Sequence, residues 1–123
     1  MASQLIETLF VSSTDHKMVT ALDGAFYHVQ RVGEPGQAME MLRSGQIDLI
    51  LLDDELFSND IVRMVKEIKR RVPLLPVLVI SKNTDSAYQT GLMEAGADDI
   101  LTAKLSAEEL QRRLRLVMRQ RRQ

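Results

Sequence analysis

Hydrophobic positions in this chain fall into short unbroken runs, separated by segments with a helical repeat. The clearest run, Ile47-Asp48-Leu49-Ile50-Leu51-Leu52, is interrupted once and then ends in three consecutive carboxylates, Asp53-Asp54-Glu55. Apolar residues that do not alternate with polar ones describe a strand covered on both faces, as in a parallel sheet flanked by helices. Val77-Leu78-Val79-Ile80 reads the same way. Thr8-Leu9-Phe10-Val11 is a β-branched and aromatic run that stops at Ser12-Ser13-Thr14, a first buried strand. Residues 26–32 alternate roughly, as an edge strand does, and Ile100-Leu101-Thr102 makes a brief fifth strand.

The intervening segments carry helix signals. Residues 15–22 predict a short helix with Met18, Val19 and Leu22 inward, stopped by Asp23-Gly24. Pro35 suits the first turn of a second helix, where its missing N–H has no partner to lose. Ala38, Met39 and Leu42 form that helix's inner stripe and Gly45 closes it. Ser58 or Asn59 is the expected cap of a third helix, with Ile61, Met64, Val65 and Ile68 inward, followed by a proline-punctuated loop over 71–75. A fourth helix over 86–95 presents Ala87, Tyr88, Gly91, Leu92 and Ala95, with Gly96 as its stop. Ser106-Ala107-Glu108-Glu109 is a capping box, framed by Leu105 and Leu110 as a hydrophobic staple; Leu110, Leu114 and Val117 carry the last helix's stripe. Such alternation of strand and helix predicts an α/β fold, an open doubly wound parallel sheet. The carboxylates at 53–55 then stand at the carboxyl edge of a central strand, where such sheets place their ligands.

Composition narrows the classes. A length of 123 residues supports one domain, 1–123, burying roughly two-thirds of its unfolded surface. Helical character running to the last residue marks about 119–123 as the expected start of a linker to an output domain. A formal charge of −1 argues against bulk attraction to nucleic acid or anionic membrane. The absence of Cys removes thiolate chemistry and Cys-bound metal and suits a reducing cytoplasm, the expected location. No basic-then-apolar leader is present, and the longest apolar-rich run, 72–80, contains Pro73 and Pro76 and is too short to span a bilayer. His16 and His28 lack a partner at metal-ligand spacing, which leaves them surface or packing roles. Met39, Met41, Met64, Met93 and Met118 read as core. Arg112, Arg113, Arg115, Arg119, Arg121 and Arg122 read as a solvated helix face, with no interleaved aromatics to suggest nucleic-acid binding.

Three segments taken in order carry a resemblance. Asp48-Leu49-Ile50-Leu51-Leu52-Asp53, Pro76-Val77-Leu78-Val79-Ile80-Ser81 and Ala95-Gly96-Ala97-Asp98-Asp99-Ile100-Leu101 together resemble the receiver domain of two-component response regulators, over nearly the whole chain. The resemblance implies a flavodoxin-like five-stranded sheet of order 2-1-3-4-5 with five helices. It implies that Asp53 accepts a phosphoryl group from a kinase phosphohistidine, assisted by Mg²⁺. In the family an acidic pair after the first strand holds the cation, a hydroxyl after the fourth strand and a lysine after the fifth contact the phosphate, and an aromatic on the fifth strand reports the change.

The match to those roles is uneven. Ser81 keeps the hydroxyl, but the acidic pair falls on Ser12 and Ser13, and the aromatic switch on Ile100. The lysine position falls on Ala103, with Lys104 one residue later where the family has proline; Leu56-Phe57 replaces Met-Pro; and the first helix is about one turn short. Mg²⁺ wants near-octahedral oxygen ligation with one or two carboxylates, and Asp53 and Glu55 are at most what this sequence offers. Asp15 could lean in, whereas Asp54 points to the opposite face if the strand persists. A one-residue slip likewise turns Lys104 across the sheet. Lys82 is a substitute cation, although a solvent-facing lysine is the plainer reading.

The expectation is therefore an atypical, degenerate receiver, not an enzyme. It signals by protein–protein contact, binds Mg²⁺ weakly if at all, and has little or no phosphorylation at Asp53. Its expected partners are a histidine kinase or another signalling protein, a second copy through the fourth helix, fifth strand and fifth helix, and a C-terminal output domain, without membrane or direct nucleic-acid contact. The alternative is a working phospho-acceptor that uses Asp53, Ser81 and a rearranged Lys104 or Lys82. A flavodoxin-like ligand binder is a third class, disfavoured because Ser12-Ser13-Thr14-Asp15 stands where a Gly-rich phosphate loop would. The bland readings are a solvated capping loop for residues 53–55 and hydroxyls bonding local backbone for Ser12 and Ser13.

Overall fold

The unbroken apolar runs all become strands of one parallel sheet. In the computed structural model, which describes residues 4–121, these are β1 (Ile6–Val11), β2 (Tyr27–Val32), β3 (Leu49–Asp53), β4 (Val77–Ser81) and β5 (Asp99–Thr102), in the order β2-β1-β3-β4-β5. Four helices cross between them, α1 (Lys17–Thr20), α2 (Pro35–Arg43), α3 (Ile61–Arg71) and α4 (Ser86–Ala95), and a fifth, α5 (Ala107–Arg121), follows β5. This is the expected flavodoxin-like arrangement.

Alternate strand residues feed two separate cores, as the two-residue period of a strand requires. Leu9, Val11, Ile50, Leu52, Val77 and Val79 pack with α2, α3 and α4 through Ala38, Leu42, Val65, Ile68 and Leu92. Phe10, Leu49, Leu51, Leu78, Ile80 and Leu101 pack on the other face with Met18 and Val19 of α1 and Leu110, Leu114 and Val117 of α5. The parallel register sets Val11 beside Leu52, Asp53 beside Ile80, and Ser81 beside Thr102. The carboxyl ends of β1, β3, β4 and β5 therefore meet at one rim.

Several local expectations are corrected. Helix α1 is shorter than 15–22: His16 is its N-cap, with no side-chain capping bond, and Ala21 closes it. Asp23 does not stop that helix but accepts the Val29 N–H (2.9 Å), pinning the return into β2. Neither Ser58 nor Asn59 caps α3; both lie in a 3₁₀ turn, Ser58–Asp60, with Ser58 at φ 51°, and Asp60 is the N-cap. Helix α3 continues through Arg71, so the proline loop begins later. The capping box before α5 is half formed: Ser106 Oγ accepts the Glu109 N–H (3.1 Å), while the Glu109 carboxylate bonds Arg112 and Arg113. Those two ion pairs, with Arg113 to Asp99 (3.2 Å), neutralise part of the basic stretch; Arg122 lies outside the described residues. Met39, Met41, Met64 and Met118 pack half-buried against the two cores as expected, whereas Met93 is exposed.

Gly96 closes α4 as expected. Its φ of +117° suits a residue without a side chain, and an added Cβ would sit 2.9 Å from Lys69 Cγ. Among the described residues, no helix is long and apolar enough to cross a membrane.

Candidate functional site

Strand β3 ends where it does because Asp53 caps its own turn. Its Oδ1 accepts the Glu55 N–H (3.1 Å), and the backbone goes directly into a 3₁₀ turn, Asp54–Leu56. The strand does not persist, so Asp54 is not carried to the opposite face. It lines the same cavity as Asp53, and its Oδ2 accepts the Tyr88 O–H at 2.7 Å.

On the neighbouring strand, the residue after Val11 falls beside Asp53. Ser12 is fully buried, and its Oγ donates to Asp53 Oδ2 at 2.7 Å while accepting the Thr14 N–H at 3.2 Å. Ser12 is thus more than a hydroxyl serving its local backbone; it holds the Asp53 carboxylate. Ser13, the other residue at which the resemblance implies an acid, is exposed.

A cavity of about 140 Å³ opens over Asp53, lined by Thr14, His16, Asp54, Glu55, Ile80, Ser81, Lys82 and Ala103. Ser81 is nearly buried at the end of β4 and its Oγ accepts the Asn83 N–H (2.9 Å). Ala103 faces the cavity where the resemblance places a lysine, and its N–H donates to the Ser81 carbonyl (3.3 Å). Lys104 is exposed and is not among the lining groups. Lys82 is exposed as expected, yet it stands on the rim: its Nζ lies 3.0 Å from Glu55 Oε1. The hydrogen bond and charge of Glu55, with the nearby Asp53 and Asp54, raise its pKa above the ordinary lysine value.

The remaining candidates are elsewhere or already engaged. Asp15 does not lean towards Asp53; it pairs with Arg31 Nε at 3.1 Å, and Arg31 Nη1 donates to the Ser12 carbonyl at 2.9 Å. Ile100 is half-buried on the α4–β5 face, in a groove with Gln89, Thr90, Met93 and Asp99. His28 pairs with Glu7 (2.7 Å) near the amino end of the sheet. His16 borders the cavity, and its Nδ1 is buried without a hydrogen-bond partner.

Two functional neighbours have no signal in the sequence. Tyr88 and Arg31 reach the rim across 34 and 19 residues of chain, so no local spacing announces them. Burial raises the Tyr88 phenol pKa well above the usual value, with further contributions from the hydrogen bond and charge of Asp54; a hydrogen bond with Ser81 works in the opposite sense. Each carboxylate at the rim thus has a partner: Asp53 with Ser12, Asp54 with Tyr88 and Glu55 with Lys82. Among the described residues, no three His, Asp or Glu side chains converge to hold a metal ion.

Comparison with known proteins agrees with this fold. Residues 13–115 match the family model described as the response regulator receiver domain. The chain is 27% identical over 115 residues (90% of this chain, 49% of that protein) to the transcriptional regulatory protein KdpE of Staphylococcus aureus. It is 30% identical over 100 residues (81% of this chain, 44% of that protein) to the KDP operon transcriptional regulatory protein KdpE of Escherichia coli. It thus spans about half the length of these curated relatives. A response regulator from Thermotoga maritima superposes with a TM-score of 0.85 at 20% identity, covering 94% of this chain and 98% of that one, a likeness of fold. The chain therefore belongs to the response regulator receiver domain family of two-component signalling.

Proposed function

We propose that this chain is an atypical receiver that signals mainly through protein–protein contact, with Mg²⁺-assisted phosphorylation of Asp53 slow or absent. The observation that carries the reading is the 2.7 Å hydrogen bond from Ser12 to Asp53, at a position where the family presents a cation-holding acid. Transfer to Asp53 would form a bond from its carboxylate oxygen to phosphorus as the bond to the donor breaks, gathering negative charge on the phosphoryl oxygens. The donors at hand fit Mg²⁺ poorly. Ser12 supplies a neutral oxygen, and Asp54 and Glu55 are engaged by Tyr88 and Lys82. Ala103 offers no amine to the phosphate. Losing one well-placed stabiliser of developing charge typically costs about 2.7–4 kcal/mol, a factor of roughly 10²–10³ in rate. Two such losses leave slow transfer at best.

Receiver domains are in general signalling modules and not enzymes, and they work by changing their contacts. For this chain the proposed contacts are a histidine kinase or another signalling protein, an output domain following α5, and a second copy through α4, β5 and α5. A second reading keeps Asp53 as a working acceptor, and one observation favours it: Lys82 borders the same cavity and needs only to leave Glu55 to reach a phosphate.

Magnesium titration followed by amide NMR separates the two. We expect weak shifts at Ser13, Asp53 and Asp54, and at least tenfold tighter binding once S12D and S13D are introduced together. Tight binding by the unmodified chain, abolished by Asp53→Ala, would overturn the proposal.

A further inference from the structure

Asp54 follows the acceptor directly, yet its partner lies on another element. Its Oδ2 accepts the Tyr88 O–H at 2.7 Å. Tyr88 is the third residue of α4, half-buried, and its own N–H donates to the helix cap Asp85 (2.9 Å). One side chain therefore reaches the turn after β3 while belonging to the first turn of α4.

Hydrogen bonds within residues 83–89 cap that turn, and the Tyr88 phenol ties it to the turn after β3. The buried residues of α4 are Leu92 and Ala95, both in its second half, and Ser86 and Ala87 are exposed. Gln89, Thr90 and Met93, further along α4, line a surface groove with Asp99 and Ile100 of β5. Ile100 has no hydroxyl or ring with which to bond Ser81, so an aromatic relay through position 100 is not available.

We propose that Tyr88 is the positioning residue that transmits a change at the Asp53 corner to the α4–β5 face, by way of its hydrogen bond to Asp54. Movement of the turn after β3 pulls on the phenol, and the phenol moves the amino end of α4. The coupling does not depend on phosphorylation: any change at Asp53 that shifts the turn is felt.

The test uses the whole chain and a substitution in place of phosphate, so it stands or falls separately from the reading on phosphorylation. Asp53→Asn removes the acceptor's charge, and amide NMR reads the response at Gln89, Thr90, Met93 and Ile100. We expect clear shifts at these four amides with Tyr88 in place. In the Tyr88→Phe background, which keeps the ring and removes only the O–H, the response should fall at least threefold. Asp54→Ala should reduce it equally, and Ile100→Ala should leave it intact. An unchanged response in Tyr88→Phe and Asp54→Ala, no response to Asp53→Asn in the parent chain, or loss of the response through Ile100→Ala would each overturn the proposal.

Discussion

Replacing Ser12 by alanine isolates the contact on which the reading of the site rests. The Oγ is fully buried and donates to a carboxylate at 2.7 Å. Hydrogen bonds to charged groups contribute a net ~1.5–3 kcal/mol. Water can reach part of the half-buried Asp53 carboxylate and the exposed Thr14, so the lower end applies. The expected loss is about 1.5 kcal/mol, or a fall in melting temperature of roughly 5–8 °C for a domain of this size. The chain has no Trp, so urea unfolding followed by far-UV circular dichroism is the suitable assay, with the slope m unchanged. A double-mutant cycle makes the attribution specific: in the Asp53→Ala background, Ser12→Ala should cost less than about 0.5 kcal/mol, because the partner has already gone. Equal costs in the two backgrounds, or no cost in either, would refute the reasoning.

Three other outcomes follow from the same structure. Introducing S12D and S13D together sets new carboxylates against Asp53, so the variant should be less stable than the parent without metal and regain stability with millimolar Mg²⁺, read by thermal unfolding at both conditions. Gly96→Ala should destabilise by about 1–2 kcal/mol, because φ is +117° and the new Cβ would displace Lys69 from its bonds to Leu75 O and Asp98; chemical denaturation checks it, and a neutral result contradicts the geometry. His28 has its pKa raised above 6.5, first by the hydrogen bond to Glu7 and then by its charge. A raised folded value means the stability contribution is fully present below about pH 6.5 and lost as pH rises through the folded pKa. His28→Gln should therefore flatten the decline in stability above pH 6.5, and an unchanged profile would remove the pair from the account.

The sheet was legible because each strand announces itself independently. Leu49 to Leu52 and Val77 to Ile80 are apolar at every position, which only a doubly covered strand satisfies. Gly96 and Pro35 were legible for the same reason: each marks a backbone position that few other residues fill. What the sequence obscured was contact across the chain. The sequence sends Asp54 to the opposite face only if the strand persists, and Asp53 takes the Glu55 N–H and ends the pleat before that residue. Ser58 and Asn59 have the chemistry of helix caps, yet the 3₁₀ turns after β3 use up those positions before α3 begins. Ser12 looked like a strand-end hydroxyl because nothing local records that position 53 lies beside it; the parallel register does. Tyr88 read as a residue of a helical stripe, and only the folded chain brings its O–H to Asp54.

The most direct test of the account is phosphoryl transfer itself. The purified chain is mixed with Mg²⁺ and a small-molecule phosphodonor, and labelling is followed by intact-mass spectrometry with Asp53→Ala as the blank. The account predicts little or no Asp53-dependent labelling over the minutes in which a fully equipped receiver is modified. Rapid, stoichiometric labelling that disappears in Asp53→Ala would contradict it.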